Sequence, residues 1–348
     1  MVENIIPQYD FLALSLANPV KLAAQKFLLA NQTEVEIYDT GIIAFQPANT
    51  NTSKDIVLSC GIHGNETAPI EICAELVRDI LQGTLTLQQR LLVIFGNLSA
   101  MLAEKREITE NLNRLFSGHH SLGDAAMNPE RLRAKAIEDY VSLFYQKTAK
   151  SETKRQRILY DLHTAIRGSR FEKFAVYPFL HGKPWHKDQF EFLQTCDVTT
   201  VLLMHTPAST FSYYASNTHG ADSFTIELGK VRPFGQNDMA RFIKVRQSLR
   251  DLVSLAAVAT KPFVESDFAL YHVSRAINKQ TDAFRLNFAS DVENFTSYPV
   301  GTLLATDGEI EHKVEQEGEA IIFPNANVAI GQRAMLMVVP TTVSQHLV

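Results

Sequence analysis

Residues 55–82 constrain the fold more than any other stretch, because the hydrophobic pattern changes period within them. Ile56, Val57 and Leu58 form a short apolar run that is typical of a buried strand. After a polar segment, apolar residues recur every three to four positions, the spacing of an amphipathic helix, at Ile72, Cys73, Leu76, Val77, Ile80 and Leu81. The stretch predicts a strand, a turn and a helix, which together are the building unit of α/β proteins.

The same alternation along the rest of the chain defines the fold class. Further apolar strands are expected at 34–38, 41–45, 91–95, 158–163, 174–177, 199–204 and 223–228. Further helices are expected at 19–29, 129–147, 187–195 and 239–259. This pattern predicts an α/β domain over residues 1–261. Beyond it, short apolar runs between turn residues predict a smaller all-β domain over residues 262–348, with runs at 284–288, 302–305, 320–323 and 334–339.

Composition narrows the classes of function that the chain can have. The net charge of −5 gives no electrostatic reason to expect nucleic acid or an anionic membrane as a partner. The start of the chain lacks the pattern of a signal peptide, and no apolar run is long enough to span a membrane. Three cysteines without paired spacing indicate reduced, mostly buried thiols. We therefore expect a cytoplasmic protein, and the oligomeric state stays open.

The polar turn after the first strand carries His63 and Glu66, three residues apart. It lies at the carboxyl end of a predicted strand, where α/β proteins place their ligands. A neutral imidazole and a carboxylate at this spacing can bind one zinc ion, and a catalytic zinc ion needs a third protein ligand. Gly61 and Gly64 let the backbone turn and leave space for a substrate. The alternative is a polar helix-entry loop with no metal.

Two later strand ends offer the remaining parts of a zinc site. His163 ends the strand at 158–163, and two histidines with one carboxylate form a known catalytic zinc set. Glu227 lies in an otherwise apolar strand end, where a buried carboxylate is costly unless it is paired or used. Glu227 is then either the partner of a neighbouring Arg or Lys, or a general base that moves the proton of an attacking water to the leaving amine.

A polar loop over residues 97–118 is unusually long, which marks it as a functional candidate. It contains Arg106, Asn113 and Arg114, and guanidinium groups are suited to gripping carboxylates and stabilising an oxyanion. More basic residues cluster around the two later strands, at Arg167, Arg170, Lys173, Lys230 and Arg232. In an acidic chain this cluster points to a substrate with more than one carboxylate, although each residue alone is more typical of a surface charge.

Together these residues resemble the succinylglutamate desuccinylase/aspartoacylase branch of the zinc carboxypeptidase superfamily. The resemblance covers most of the chain and depends on five strings, at Gly61–Pro69, Asp161–Ser169, Glu227–Lys230, Pro233–Asp238 and Gly301–Ala305. Competing machineries are absent from the sequence: it has no nucleophile elbow, phosphate loop, Rossmann glycine fingerprint or His-Glu-x-x-His motif.

The resemblance implies a zinc-carboxypeptidase-like mixed sheet flanked by helices, with a smaller C-terminal all-β domain. It also implies an amidohydrolase with one Zn²⁺ per chain that cleaves N-succinyl-L-glutamate into succinate and L-glutamate, in the succinyltransferase route of arginine catabolism. The implied roles are zinc ligation by His63, Glu66 and His163, acid/base catalysis by Glu227, oxyanion stabilisation by Arg106, and carboxylate binding by Asn113 and Arg114. Arg167 of the basic cluster is a further substrate-binding candidate.

One position departs from the family pattern. The family usually has Asp-x-Asn-Arg where this chain has Asn111-Leu112-Asn113-Arg114. An Asp at this position typically orients a metal-bound histidine. Asn111 can accept the same hydrogen bond without a charge, and Asp161, on the same face of its strand as His163, is a second candidate for the role.

Three other functions stay open at this point. The first is a deacylase of another N-acyl acidic amino acid, such as N-acetylaspartate. The second is a protein carboxypeptidase, which would normally bring a secretion signal. The third is a non-catalytic binding protein that keeps the pocket. In each of the first and third cases the partner is a small molecule.

Overall fold

The computed structural model describes residues 2–48, 52–123, 127–148 and 155–348. Its α-helices are α1 (Val2–Ile5), α2 (Phe11–Ala17), α3 (Thr67–Gln82), α4 (Leu98–Leu102), α5 (Pro129–Gln146), α6 (Lys187–Thr195), α7 (Phe211–His219) and α8 (Ile243–Ser254). The strands of the first 261 residues are β1 (Gln25–Leu28), β2 (Glu34–Asp39), β3 (Ile42–Gln46), β4 (Lys54–Cys60), β5 (Arg90–Phe95), β6 (Gln156–Ala165), β7 (Phe174–Tyr177), β8 (Thr200–Leu203) and β9 (Asp222–Lys230). The later strands are β10 (Ala269–Asn278), β11 (Arg285–Leu286), β12 (Thr296–Ser297), β13 (Leu303–Asp307), β14 (Ile310–Lys313), β15 (Ala320–Ile322) and β16 (Arg333–Pro340).

Most strands form one mixed sheet in the order β1-β2-β3-β5-β4-β6-β9-β7-β8-β10-β16-β15-β12. Its centre is parallel, since β4 pairs in parallel with both β5 and β6, and β6 pairs in parallel with β9. Central parallel strands that are covered on both faces should be apolar throughout, and β5 is buried at every position. A smaller antiparallel sheet contains β11, β13 and β14.

Helices cover both faces of the central sheet. Apolar residues of α3, α6 and α8 pack with alternate residues of the strands, such as Leu58 and Ile226, in one core. The other face packs Val57 and Leu159 against α5 and α7. The α/β fold class with a smaller C-terminal β part is therefore confirmed. The predicted division after residue 261 stays a prediction, because β10 pairs with β8 and continues the same sheet.

Two of the predicted helices were wrong in extent or type. Residues 19–29 do not form a helix, because Gln25–Leu28 pairs as a strand with β2, and the helix lies earlier at Phe11–Ala17. The helix predicted at 239–259 ends at Ser254. There the chain becomes extended, and the carbonyl of Leu255 accepts a hydrogen bond from the Gln89 side chain at 3.0 Å. Tertiary hydrogen bonding overrides the local pattern in both places.

The expectation of buried, unpaired cysteines is confirmed. Cys60, Cys73 and Cys196 are free and buried. Within the described ranges, no helix has both the length and the apolar character that crossing a membrane requires.

The turn between β4 and α3 is packed tightly against α4, and Gly64 lies at the contact. A methyl group added at Gly64 would collide with the backbone of Ala100 and Met101. The Gly64 amide also donates to the Arg106 carbonyl at 3.1 Å. The turn and the polar loop after α4 are thus held against each other by backbone contacts.

We expect Gly64→Ala to lower the free energy of unfolding by about 1–3 kcal/mol, because rigid backbone must move to admit the methyl group. Denaturant titration measures the loss. Gly168→Ala is the matched control, since its added methyl group would meet only the flexible Glu293 side chain, at 3.2 Å or more. Equal stability of the two variants would contradict the packing described.

Candidate metal centre

Strand register brings the ends of β4, β6 and β9 together. Ser59 lies opposite Asp161 in the pairing of β4 with β6, and His163 lies opposite Glu227 in the pairing of β6 with β9. Because side chains alternate along a strand, Asp161 and His163 point to the same face. The turn after β4 carries His63, and Glu66 is the residue just before α3. These elements meet at one edge of the sheet.

At this edge, His63, Glu66 and His163 form a buried group whose candidate ligand atoms all lie within 4.8 Å of one another. His63 Nδ1 lies 2.8 Å from Glu66 Oε1, and His163 Nδ1 lies 2.8 Å from Glu66 Oε2. His63 Nδ1 is nevertheless a buried atom with no hydrogen-bond partner. This nitrogen, the Glu66 carboxylate and Nδ1 of His163 together form a set of donor atoms that zinc accepts.

The opposite ring nitrogen of each histidine has its own partner. His63 Nε2 donates to Asn111 Oδ1 at 3.0 Å, and His163 Nε2 donates to Asp161 Oδ2 at 2.8 Å. Asp161 is held in turn by Ser59, whose hydroxyl donates to Asp161 Oδ1 at 2.5 Å. A partner on the outer nitrogen fixes the tautomer and orients the other nitrogen toward a metal. Both residues that the sequence offered as histidine partners therefore have this role: Asn111 contacts His63, and Asp161 contacts His163.

The charges around the histidines differ. Burial lowers the pKa of His63 to about 4, which keeps its imidazole neutral. Burial also lowers the pKa of His163, but Asp161 and Glu66 outweigh it, and the pKa lies well above its usual value. Burial raises the pKa of Glu66, but the two histidines hold it well below its usual range. Glu66 is therefore a carboxylate, able to bind a cation.

Glu227 lies beside this group and is 8% exposed. Its Oε2 is buried and has no hydrogen-bond partner. Burial raises the pKa of Glu227 to about 7, with His163 acting in the opposite direction. Among the described residues no Arg or Lys forms an ion pair with Glu227, so the alternative of a structural ion pair has no partner here. An unpaired buried carboxyl group with a pKa near neutrality can take up and release a proton.

Arg106 reaches the same group from the polar loop. Its Nη1 donates to Glu66 Oε1 at 2.7 Å, which sets a cation directly beside the candidate ligands. The residues that hold this loop were not predicted from the sequence. Glu130 accepts from the amides of Ile108 and Thr109 at 2.7 and 3.2 Å, and Arg131 pairs with Glu110 at 2.6 Å. Glu130 and Arg131 belong to the first turn of α5 and are buried. Charged residues at the start of a helix are usually exposed, so the sequence gives no sign of their burial.

Asn113 and Arg114 follow Asn111 on the same loop. The side-chain oxygen Oδ1 of Asn113 accepts from the Phe211 amide at 2.9 Å, at the start of α7. This contact leaves the NH₂ group of Asn113 as the donor that a ligand could use. Arg114 Nη1 donates to the carbonyl of Asn113 at 2.8 Å, and its side chain is exposed. Within the described ranges Arg114 forms no ion pair, so its guanidinium is available to an anion.

The structure does not bring Arg167 to the group of His63, Glu66 and His163. Its Nε donates to the Pro324 carbonyl at 3.0 Å, and its Nη1 contacts the Ser290 carbonyl. Its role in substrate binding stays a prediction. A neighbouring cavity of about 330 Å³ gathers Arg167 with Arg170, Lys230 and Arg232. Lys173 of the same predicted cluster instead pairs with Asp197 at 3.1 Å.

Comparison with known proteins gives matches over nearly the whole chain. Residues 52–253 match the model of the succinylglutamate desuccinylase/aspartoacylase catalytic domain, and residues 266–341 match the AstE/AspA barrel-sandwich hybrid domain. A succinylglutamate desuccinylase of Shewanella frigidimarina is 50% identical over 341 residues, which is 98% of each chain.

Two solved structures are also similar to this chain. The succinylglutamate desuccinylase of Chromobacterium violaceum has a TM-score of 0.84 at 38% identity, covering 96% of this chain and 98% of that chain. The enzyme of the same name from Vibrio cholerae has a TM-score of 0.85 at 33% identity, covering 95% and 94%. With a catalytic-domain match over more than half of its length and a relative at 50% identity, the chain belongs to the succinylglutamate desuccinylase/aspartoacylase family.

Proposed function

We propose that this chain is a zinc-dependent amidohydrolase that hydrolyses N-succinyl-L-glutamate to succinate and L-glutamate, a reaction of arginine catabolism. The observation that carries the proposal is the buried group of His63, Glu66 and His163 with an unpaired carboxyl group, Glu227, beside it. The substrate is supported by relatives named succinylglutamate desuccinylase that match at 50% identity over 98% of their length.

One zinc ion per chain fits the donor set, and His63, Glu66 and His163 would hold it through two imidazole nitrogens and a carboxylate. Zinc in this position would supply Lewis-acid polarisation of the amide carbonyl and a lowered pKa for the attacking water. Asn111 and Asp161 would keep both imidazoles in the correct tautomer by accepting from Nε2. His63 donates through Nε2, so the Nδ1 of its neutral imidazole faces Glu66 Oε1 at 2.8 Å without a hydrogen bond, and this contact favours a metal over a purely structural ion-pair cluster.

The chain's own residues would move the proton and hold the developing charge. Glu227 takes the proton from the attacking water and delivers it to the amide nitrogen, which leaves as the amine of glutamate. Arg106 supplies a cation for the oxygen that becomes negative in the tetrahedral transition state. Asn113 and Arg114 bind a substrate carboxylate, through an NH₂ group and a planar guanidinium.

Three broader expectations accompany the proposal. A small-molecule N-acyl amino acid is the partner, without nucleic acid or membrane. The cytoplasm is the location. The domains are a catalytic domain over residues 1–261 and a β domain over residues 262–348. This division into two domains is supported by two separate family models, of which the first ends at residue 253 and the second begins at residue 266.

The purified protein should release glutamate from N-succinyl-L-glutamate much faster than it cleaves N-succinyl-L-arginine or N-acetyl-L-aspartate. Incubation with a strong chelator should abolish the activity, and added Zn²⁺ should restore it, because the proposed site has only three protein ligands. Activity that persists in metal-free protein would contradict the mechanism. Preferred cleavage of N-acetyl-L-aspartate would identify a different deacylase of the family.

Glu227→Gln keeps the size of the side chain but removes the group that carries the proton. We expect kcat to fall by about 100-fold or more, which is the usual scale for loss of a general base. Zinc content, measured by metal analysis, should stay unchanged. Loss of zinc together with activity would make Glu227 a ligand. Full activity of Glu227→Gln would show that Glu227 is not the general base. If the wild-type protein binds the substrate without cleaving it, the chain is a non-catalytic binding protein.

Asn111→Asp and Asp161→Asn test the contacts to the outer histidine nitrogens. A charged partner makes a coordinated imidazole more basic, and losing one typically costs about 10–100-fold in metal affinity or activity. We therefore expect Asp161→Asn to speed zinc loss to a competing chelator and Asn111→Asp to slow it. Asp139→Asn is the control, because Asp139 is 65% exposed and paired with Lys135. Zinc-loss rates equal to that control in both variants would show that neither contact tunes the metal.

A further inference from the structure

The polar loop around Arg106 lies at the surface, where apolar packing does little to fix it. Lys105, Ile108 and Thr109 are exposed, and Ile108 is 47% exposed although it is apolar. A segment with so few buried contacts is held mainly by its hydrogen bonds. The position of Arg106 therefore depends on the groups that bind the loop on either side of it.

Backbone hydrogen bonds hold the loop just before Arg106 and at Arg106 itself. The Lys105 amide donates to the Ala100 carbonyl of α4 at 2.9 Å. The Arg106 carbonyl accepts from the Gly64 amide, in the turn after β4, at 3.1 Å. These two contacts fix the start of the loop. The residues that follow Arg106 need a partner of their own.

Glu130, in the first turn of α5, is that partner. Its Oε1 accepts from the Ile108 amide at 2.7 Å and from the Thr109 amide at 3.2 Å. The same oxygen accepts from Nδ2 of Asn97, the N-cap residue of α4, at 3.4 Å. One carboxylate oxygen therefore joins the loop after Arg106 to the start of the helix before it.

Glu130 is buried at a cost that its own helix does not explain. The side chain is 1% exposed, and among the described residues it forms no ion pair and its Oε2 has no hydrogen-bond partner. Burying such a carboxylate is costly, although the positive end of the α5 dipole offsets part of the cost. The helix does not need Glu130 as a cap, since Asn128 already accepts from the Arg131 amide at 2.9 Å. The hydrogen bonds to the loop are what this buried oxygen provides.

The next residue of α5 holds the end of the same segment. Arg131 donates to both carboxylate oxygens of Glu110, from Nε at 2.6 Å and from Nη2 at 2.8 Å. Glu110 is followed by Asn111, which contacts a candidate metal ligand. The first turn of α5 therefore holds residues 108–110, the segment between Arg106 and Asn111.

We propose that Glu130 is a positioning residue, which holds the loop so that the Arg106 guanidinium stays beside Glu66 Oε1, with Nη1 at 2.7 Å. The inference rests on the proposed function, in which Arg106 stabilises the negative oxygen of the tetrahedral transition state. A displacement of about 1 Å in such a group can cost about 100-fold in rate. Loosening the loop should therefore slow the chemical step without weakening the binding of substrate or zinc.

The test combines Glu130→Ala and Glu130→Gln with Arg106→Ala in a double-mutant cycle, assayed on N-succinyl-L-glutamate. Glu130→Ala removes the acceptor, whereas Glu130→Gln keeps an oxygen for the two amides but lacks the charge. Glu138→Gln is the matched control, because Glu138 lies on the same helix and its Oε1 accepts from a different loop amide, that of Gly118, at 3.3 Å. The values of kcat and KM, the zinc content and the unfolding midpoint are measured for every variant.

We expect Glu130→Ala to lower kcat by about 10–100-fold and Glu130→Gln by about 3–10-fold, since a neutral acceptor forms weaker hydrogen bonds. KM and zinc content should change little, and Glu138→Gln should match the wild-type protein. With Arg106→Ala already present, both Glu130 substitutions should change kcat by less than about twofold, because a residue that acts through Arg106 then has nothing to position. A loss that is merely structural would be the same in both backgrounds.

Equal losses of kcat with and without Arg106, or wild-type kcat in both Glu130 variants, would overturn the role of Glu130 while leaving the proposed function intact. Wild-type kcat in Arg106→Ala would overturn it too, since Arg106 would then have no catalytic role. A wild-type protein without activity on N-succinyl-L-glutamate would overturn both the inference and the proposed function. If Glu130→Ala loses zinc or stability, Glu130→Gln decides the question: wild-type kcat, or an equal loss in the Arg106→Ala background, would overturn the proposal.

Discussion

The buried carboxylate of Glu66 is the interaction on which the rest of the site depends. Removing a carboxylate from water is costly unless hydrogen bonds and opposite charges compensate for it. Here one oxygen accepts from the Thr164 amide at 3.0 Å and faces His163, and the other accepts from Arg106 at 2.7 Å. Glu66 therefore connects the turn after β4, the end of β6 and the polar loop. Losing its charge would weaken the contacts to all three at once.

This convergence is possible because the central strands are parallel and in register. Parallel neighbours end at the same edge of a sheet, so residues distant in sequence meet there. The pairing of His163 with Glu227 and of Ser59 with Asp161 fixes these side chains more firmly than loops could. Arg106, Asn113 and Arg114, which are proposed to act on the substrate, belong instead to a loop. Helices α5 and α7 hold that loop through Glu130 and Phe211.

The C-terminal β domain is joined to the site by hydrogen bonds as well as by the chain. The backbone of Asn294 forms two hydrogen bonds with the segment after His163. The Arg167 guanidinium in that segment donates to the Pro324 carbonyl of the β domain. Arg167, whose role in substrate binding stays a prediction, thus also connects the segment after His163 to the C-terminal β domain.

The sequence by itself determined the α/β class, most central strands and the identity of the candidate ligands, because hydrophobic period and motif spacing are local properties. It also named Asn111 and Asp161 as histidine partners, but only the tertiary structure decided which histidine each one contacts. Residues 25–28 show the limit, since pairing with β2 made a strand of a predicted helix. Glu130 and Arg131 carried no local signal, because their roles arise from burial and from contacts between segments far apart in the chain.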